Sequence, residues 1–166
     1  MKRKSGGVLF LVFGVIALIA SPKTVGEAKN KTALDGPNDT SITLTVQISP
    51  VGQITSAAWV ANGAVVDSGF WFFLSFDDSG SIVHSPVVGT AKLTLLLVGQ
   101  DGSTATLQEN DHIDLNSQSG SWHVVDGTGA YSTFHGAGRY SIDVQTSPGG
   151  RTVTWQLDGH TTFGQP

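Results

Sequence analysis

Apolar and polar residues alternate with a period of two along much of the chain after residue 40. In residues 41–49, isoleucine, leucine or valine occupies every second position, and the same pattern returns in residues 139–145 and 152–157. Such alternation is typical of strands with one buried face and one face in water. No segment after residue 40 has a sustained helical stripe of apolar residues, so the pattern predicts an all-β domain.

Two central runs are more apolar than the rest, residues 70–76 (FWFFLSF) and 93–98 (LTLLLV). Aromatic residues favour a strand in the first run, and six residues are too few for a typical helix in the second. We expect two strands with both faces covered, or with an outer face that meets another subunit.

Turn-forming residues separate these runs at fairly even spacing. Asn62-Gly63 is the strongest signal, because both residues tolerate the positive φ that a type I′ turn requires. The pattern predicts eight to ten short antiparallel strands, which form either a sandwich or a closed barrel.

The first thirty residues differ in character from the rest of the chain. Three cations at positions 2–4 precede an uncharged apolar run at 8–20, and small residues follow up to Ala28. This is the layout of a secretory signal, whereas a membrane-spanning helix needs about 20 apolar residues. We therefore expect a secreted protein that meets the membrane only through its signal before cleavage after Ala28. The predicted units are a signal helix at 1–28, a flexible linker at 29–40 and one β domain at 41–166.

Composition removes several classes of function. The chain has no cysteine, which excludes disulfides and thiolate chemistry. After cleavage it would keep five lysines and arginines against twelve acids, a formal charge of −7. A net-acidic surface repels phosphate backbones, so we expect no nucleic-acid partner.

The most distinctive segment is residues 121–140, SWHVVDGTGAYSTFHGAGRY, which contains Gly127, Gly129, Gly136 and Gly138. A dinucleotide site needs such glycines to begin a helix. A strand-like run follows here instead, so we interpret these four residues as a structural motif that allows bends and close backbone approach.

The run W-x-x-x-D-G-T-G-A-Y followed by G-x-G-x-Y resembles the glycine signature of allene oxide cyclase-like and dirigent-like barrels. Residues 59–69 (WVANGAVVDSG) are similar to a segment of secreted bacterial proteins that share that ending. The resemblance covers residues 41–163 and implies a calycin-like antiparallel barrel of eight strands, which holds or acts on apolar small molecules without a metal or nucleotide. Asp126-Gly127 stands where the family has two glycines, and the polar groups of the cyclases have no residue-by-residue match.

Candidate chemistry outside this motif is sparse. No G-x-S-x-G elbow is present. His112 and Asp114 would share a strand face, but a metal needs three or four convergent ligands, so we expect no metal and no cofactor. Asp67 lies in an apolar stretch and Arg139 is one of few cations, so either would orient a ligand if it pointed inward. The alternation places Arg139 on the polar face.

The aromatic residues are the stronger lead, because an eight-stranded barrel encloses either a packed core or one small ligand. We predict a cofactor-free barrel that binds a small apolar or amphipathic molecule, with a binder favoured over an enzyme. The alternatives are an allene oxide cyclase-like isomerase or cyclase, and a solid-core module that forms a homo-oligomer through Leu95 and Leu97. The predicted ligand-binding residues are Trp59, Asp67, Trp71, Phe73, Trp122, Tyr131, Arg139 and Trp155.

Overall fold

The computed structural model describes residues 36–77, 83–84, 87–113 and 118–164, and the predicted signal segment lies outside them. These residues form nine strands and one 3₁₀ turn (Gly129–Tyr131). The strands are β1 (Asp39–Ile48), β2 (Ile54–Gly63), β3 (Asp67–Asp77), β4 (Val83–His84), β5 (Val87–Gly99), β6 (Thr104–Ile113), β7 (Gln118–Thr128), β8 (Phe134–Ser147) and β9 (Gly150–Phe163). A search of the described residues for a helix long and apolar enough to cross a membrane finds none.

The strands close into a barrel in which every pairing is antiparallel. Eight strands follow one another around the wall in the order β1, β2, β3, β5, β6, β7, β8 and β9, and β9 pairs back with β1. The two-residue β4 pairs only with the start of β5. The all-β prediction is confirmed, and the β3–β5 and β1–β9 ladders decide for a barrel over a sandwich.

β1 and β9 show how the period-two pattern builds the interior. Every second side chain of both strands is buried, while the threonines and glutamines between them lie on the outer surface. Burial of one such side chain contributes roughly 1.5–3 kcal/mol to folding. The facing interior pairs are Ile42 with Leu157, Leu44 with Trp155, and Val46 with Val153.

The two most apolar strands, β3 and β5, differ from the sequence-based expectation. Leu95 and Leu97 are 1% and 2% exposed and face the interior, so the prediction that they form an oligomer contact is wrong. On β3 the outward Phe70, Phe72 and Leu74 are 68%, 54% and 53% exposed. The expectation that both faces of β3 are covered is therefore wrong for the single chain. The barrel encloses only the inner face of the strand and leaves the outer face exposed. Contact of the outer face with another subunit stays a prediction.

The predicted type I′ turn at Asn62-Gly63 is also wrong. Among the described residues only glycines have positive φ, so Asn62 cannot take the first position of that turn. β2 instead continues through Gly63, which pairs with Thr40, and the Ala64 N–H donates to the Asp39 carbonyl (2.8 Å). Gly63 (φ +109°) passes so close to this carbonyl that a Cβ would overlap with it.

One seam of the wall is only partly paired. β2 and β3 share four residue pairs, residues 58–61 with 67–70. Beyond them, residues 54–57 of β2 pair with β1 alone, and residues 71–77 of β3 pair with β5 alone. Leu74 is an extra residue at a bulge in β3, and a bulge bends its strand. The two strands therefore separate toward one end of the barrel.

The glycine motif provides room for the indole of Trp122 and for the 3₁₀ turn that contains Tyr131. Gly136 and Gly138 on β8, together with Gly159 on β9, lie beneath the indole of Trp122 or against each other's backbone, where added Cβ atoms would collide. A Cβ at position 127 would overlap with the Tyr131 carbonyl oxygen. Gly129 (φ +60°) begins the 3₁₀ turn. These close approaches are the kind that the interpretation as structural glycines expects.

Gly138→Ala is expected to lower the free energy of unfolding by about 1–3 kcal/mol, the cost of forcing extra atoms into a packed interior. The new Cβ would overlap with the Asp158 carbonyl and lie 2.6 Å from the Gly159 Cα. Urea denaturation measures the change. Gly149→Ala is the control, because a Cβ there meets only the Ser147 Oγ at 3.7 Å. Equal midpoints for the two variants would contradict the packing role of Gly138.

Candidate functional site

All four tryptophans of the chain are buried in the barrel, but their indole N–H groups differ. Trp59 Nε1 donates to the Val98 carbonyl at 3.0 Å, and Trp71 Nε1 donates to the Thr45 carbonyl at 3.3 Å. Both residues are thus tied to the wall. Trp122 and Trp155 have buried N–H groups without a hydrogen-bond partner, so they are the two that remain able to donate.

Three of the predicted ligand-binding residues, Trp71, Phe73 and Trp155, lie together in the interior. Trp155 packs edge-on against Trp71, with 5.4 Å between ring centroids. Phe73 follows Trp71 on the inward face of β3 and is half-buried against the core, next to the bulge.

Asp67 and Tyr131 meet at one end of the barrel. The Tyr131 hydroxyl donates to Asp67 Oδ2, and the Ser68 N–H donates to Oδ1 at 2.7 Å. The Tyr131 ring also contacts Phe134 and Phe163, with centroids 5.5 and 6.5 Å away. Burial and the Asp67 hydrogen bond raise the pKa of Tyr131. The carboxyl that the sequence offered as a ligand contact therefore fixes the turn that covers this end.

Arg139 points away from the interior. It is exposed on β8, as the alternation indicated, and so are His135 on the same strand and His112 on β6. Asp114 lies outside the described residues, and no group of three or more His, Asp or Glu in the described part of the chain could hold a metal ion.

Four polar side chains that the sequence reasoning missed converge inside the barrel. Glu109 and Asp111 are neighbours on the inward face of β6 and are 0% and 2% exposed. Asp111 accepts hydrogen bonds from the Tyr140 hydroxyl on β8 and from Gln118 Nε2 on β7 (2.7 Å). Gly120 makes room for this contact, because a Cβ there would lie 2.8 Å from the Tyr140 ring.

Glu109 lacks the partners that Asp111 has. Both of its carboxyl oxygens are buried without a hydrogen bond, as are Trp122 Nε1, Trp155 Nε1 and Gln118 Oε1. Trp122 stands directly opposite Glu109 in the β6–β7 ladder. An unpaired buried polar group costs about 1–3 kcal/mol, and native interiors pair nearly all of them with protein or water. Glu109, its ladder partner Trp122 and the neighbouring Asp111 form the strongest candidate site among the described residues.

The pKa values of both acids are raised. Burial raises the pKa of Glu109 well above its ordinary 4.5, and the neighbouring Asp111 charge raises it further. Burial also raises the pKa of Asp111, to about 6, against the opposing hydrogen bonds from Tyr140 and Gln118. Burial thus favours the protonated form of both carboxyls, and only Asp111 has hydrogen bonds that favour its charged form.

The fold and this site together define a closed eight-stranded antiparallel β-barrel with a buried acid pair at its centre. Comparison of the chain with protein-family models, with curated proteins and with solved structures finds no match in any of the three. The resemblance to allene oxide cyclase-like and dirigent-like barrels thus rests on the sequence motifs alone.

Glu109→Gln is expected to stabilise the ligand-free protein at pH 8 by on the order of 1–3 kcal/mol, because an amide cannot ionise in the interior. The folded state binds the Glu109 proton more tightly than the unfolded state does. Stability is therefore full below pH 4.5 and falls as pH rises through the raised pKa.

Urea denaturation of the wild type and the variant at pH 4.5 and pH 8 tests this expectation. The difference should appear at pH 8 and shrink at pH 4.5. Asp126→Asn removes an exposed acid from β7 and should change neither value. A wild type that is as stable as Glu109→Gln at pH 8 would show that Glu109 ionises there without cost.

Proposed function

We propose that the barrel binds a small amphipathic molecule in its interior, with the polar group of that molecule at Glu109. The observation that carries this proposal is the fully buried Glu109 carboxyl, neither oxygen of which has a partner. Asp111 is already paired with Tyr140 and Gln118. Glu109 and the opposite Trp122 are thus the groups left to bind a ligand, while the surrounding apolar side chains accommodate its body.

The predicted ligand-binding residues divide within this proposal. Trp122 and Trp155 would contact the ligand through their unpaired N–H groups. Trp71 and Phe73 would contribute ring surface. Trp59, Asp67 and Tyr131 would act through the barrel wall and its covered end, which their hydrogen bonds hold in place.

The partly paired seam between β2 and β3 would give such a ligand a route through the wall. Its β3 edge, residues 71–77, forms no ladder with β2. Phe72, Leu74 and Ile54 are each at least 53% exposed near it, so the outer rim is apolar. A secreted barrel, as the N-terminal signal pattern predicts, would meet its ligand outside the cell.

An isomerase or cyclase is the second candidate, and the same residue favours it. A general acid must hold a proton near neutral pH and reach the substrate. Burial and Asp111 raise the pKa of Glu109, which favours its protonated form, and its unpaired oxygens are free to meet a substrate. In this candidate Glu109 would donate the proton, and Asp111 would be the positioning residue that keeps it there. A solid-core structural module leaves the unpaired groups without a role.

Ala91→Leu is expected to reduce bound ligand at least about tenfold, because three added carbon atoms would occupy space beside the acid pair. Ala91 is 4% exposed and lies opposite Asp111. Native mass spectrometry of the protein purified from its own host should detect a retained small molecule in the wild type and its loss in the variant.

Ala137→Leu is the matched control, since Ala137 is exposed on β8, and it should retain the ligand. Far-UV circular dichroism of both variants checks that the barrel is intact. Equal retention by Ala91→Leu and the wild type would contradict binding at the acid pair. A wild type that neither retains a molecule nor binds an added amphipathic one would contradict the proposed function.

A further inference from the structure

We propose that the interior ligand is an organic ammonium ion, a primary or secondary amine with a small apolar body, whose N–H groups are bound by Glu109. This inference rests on the proposed function and specifies the chemical class of its ligand. The argument starts from the balance of charges and of hydrogen-bond donors inside the barrel.

Among the described residues, the interior contains two acids and no cation in contact with them. Asp111 is the neighbour of Glu109 on β6, Leu93 and Trp122 stand opposite Glu109 on the flanking strands, and Tyr140 reaches in from β8. The described lysine and arginines lie elsewhere: Lys92 and Arg139 are exposed, and Arg151 is half-buried near the start of β9. Buried carboxylates ordinarily have a cation beside them, so this charge is uncompensated.

Glu109 lacks hydrogen-bond donors as well as a neighbouring positive charge. An ionised carboxylate only accepts hydrogen bonds, and an ammonium group only donates them. The donors of Tyr140 and Gln118 are directed at Asp111, which leaves both oxygens of Glu109 for two N–H groups of a ligand. A charge-assisted bond of this kind is about twice as strong as a neutral one.

The other residues of the cluster suit a cation more than an anion or a neutral molecule. Trp122 is paired with Glu109 in the ladder and its indole lies over Gly136 and Gly159, while Tyr140 donates its hydroxyl to Asp111. Aromatic rings attract ammonium ions, more strongly when water is excluded. An anionic ligand would be repelled by Asp111, and a neutral alcohol would donate only one hydrogen bond to Glu109.

Binding of an ammonium ion is coupled to the loss of the proton from Glu109. The raised pKa of Glu109 favours its protonated form in the ligand-free protein, and the carboxyl must ionise to bind the cation. Each binding event then releases up to one proton, so affinity rises with pH, by up to about tenfold per pH unit, until pH passes the Glu109 pKa. An alcohol bound to the protonated acid releases none.

Three probes of similar shape separate these possibilities: 2-phenylethylamine, 2-phenylethanol and 3-phenylpropanoate. Isothermal titration calorimetry at pH 6 and pH 8, in two buffers of different ionisation enthalpy, gives the affinity and the number of protons released. We expect the amine to bind the wild type at least about tenfold more tightly than the alcohol at pH 8, and the anion to bind most weakly.

The same titrations with Glu109→Gln assign the effect to one residue. This variant should lose at least about tenfold in amine affinity and all proton release, while its alcohol affinity stays within about threefold of the wild type. Asp126→Asn removes an exposed acid of equal charge and should behave as the wild type. Near-UV circular dichroism of the tryptophans checks that each variant is folded.

The outcomes distinguish this inference from the proposed function. An alcohol that binds as tightly as the amine, or amine binding that Glu109→Gln does not weaken, overturns the ammonium assignment and leaves interior binding intact. If the purified protein retains a molecule without a basic nitrogen, the ammonium assignment is likewise overturned and interior binding stands. Failure of all three probes to bind, together with no retained molecule, overturns both.

Discussion

The ladder between β1 and β9 is the constraint on which the interior depends. It joins the first and last strands of the barrel through ten residue pairs, from Asp39 with His160 to Ile48 with Arg151. This pairing turns an open sheet into a closed wall, and a closed wall gives the alternating side chains of all eight strands one shared inside. Without it, Glu109 and Asp111 would be two acids on one face of a sheet. Inside the barrel they lose water, and loss of water is the main cause of their raised pKa values.

Glycine determines where the largest interior side chains can lie. Gly138 of β8 pairs with Gly159 of β9, and Trp122 of β7 stands opposite Gly138, so the indole rests on a patch of wall without side chains. Gly120 does the same for the ring of Tyr140. These positions bring one aromatic residue opposite Glu109 and another to Asp111. The glycine signature that the sequence identifies as a marker of the fold thus also shapes the candidate site.

Alternation in the sequence was sufficient to predict the strands, the inward face of β1 and β9, and the outward Arg139. It was not sufficient for the acid pair, although the signal was present: Ala105 and Leu107 begin a period-two series on β6 that Glu109 and Asp111 continue. Polar residues at apolar positions are easily read as the end of a strand. The two partners of Asp111 lie 7 and 29 residues further along the chain, and only the strand register brings them to it. The exposed rings of β3 were missed for a related reason, since composition does not show which face a closed sheet leaves outside.

The conflict between burial and charge at residue 109 is a stronger argument for the candidate site than any sequence motif. Twenty-one buried apolar residues of the described part of the chain form the core around it, and an apolar side chain at this position would complete the β6 series without a desolvation cost. Replacement of buried charges by apolar groups is often neutral or stabilising, so folding alone gives no reason for a carboxyl there. Asp111 adds to the cost of ionising Glu109, because two neighbouring negative charges repel each other. Where local rules for stability are broken at two adjacent inward positions, and the surrounding structure supplies aromatic rings and unpaired donors, the sequence is consistent with selection for a bound molecule.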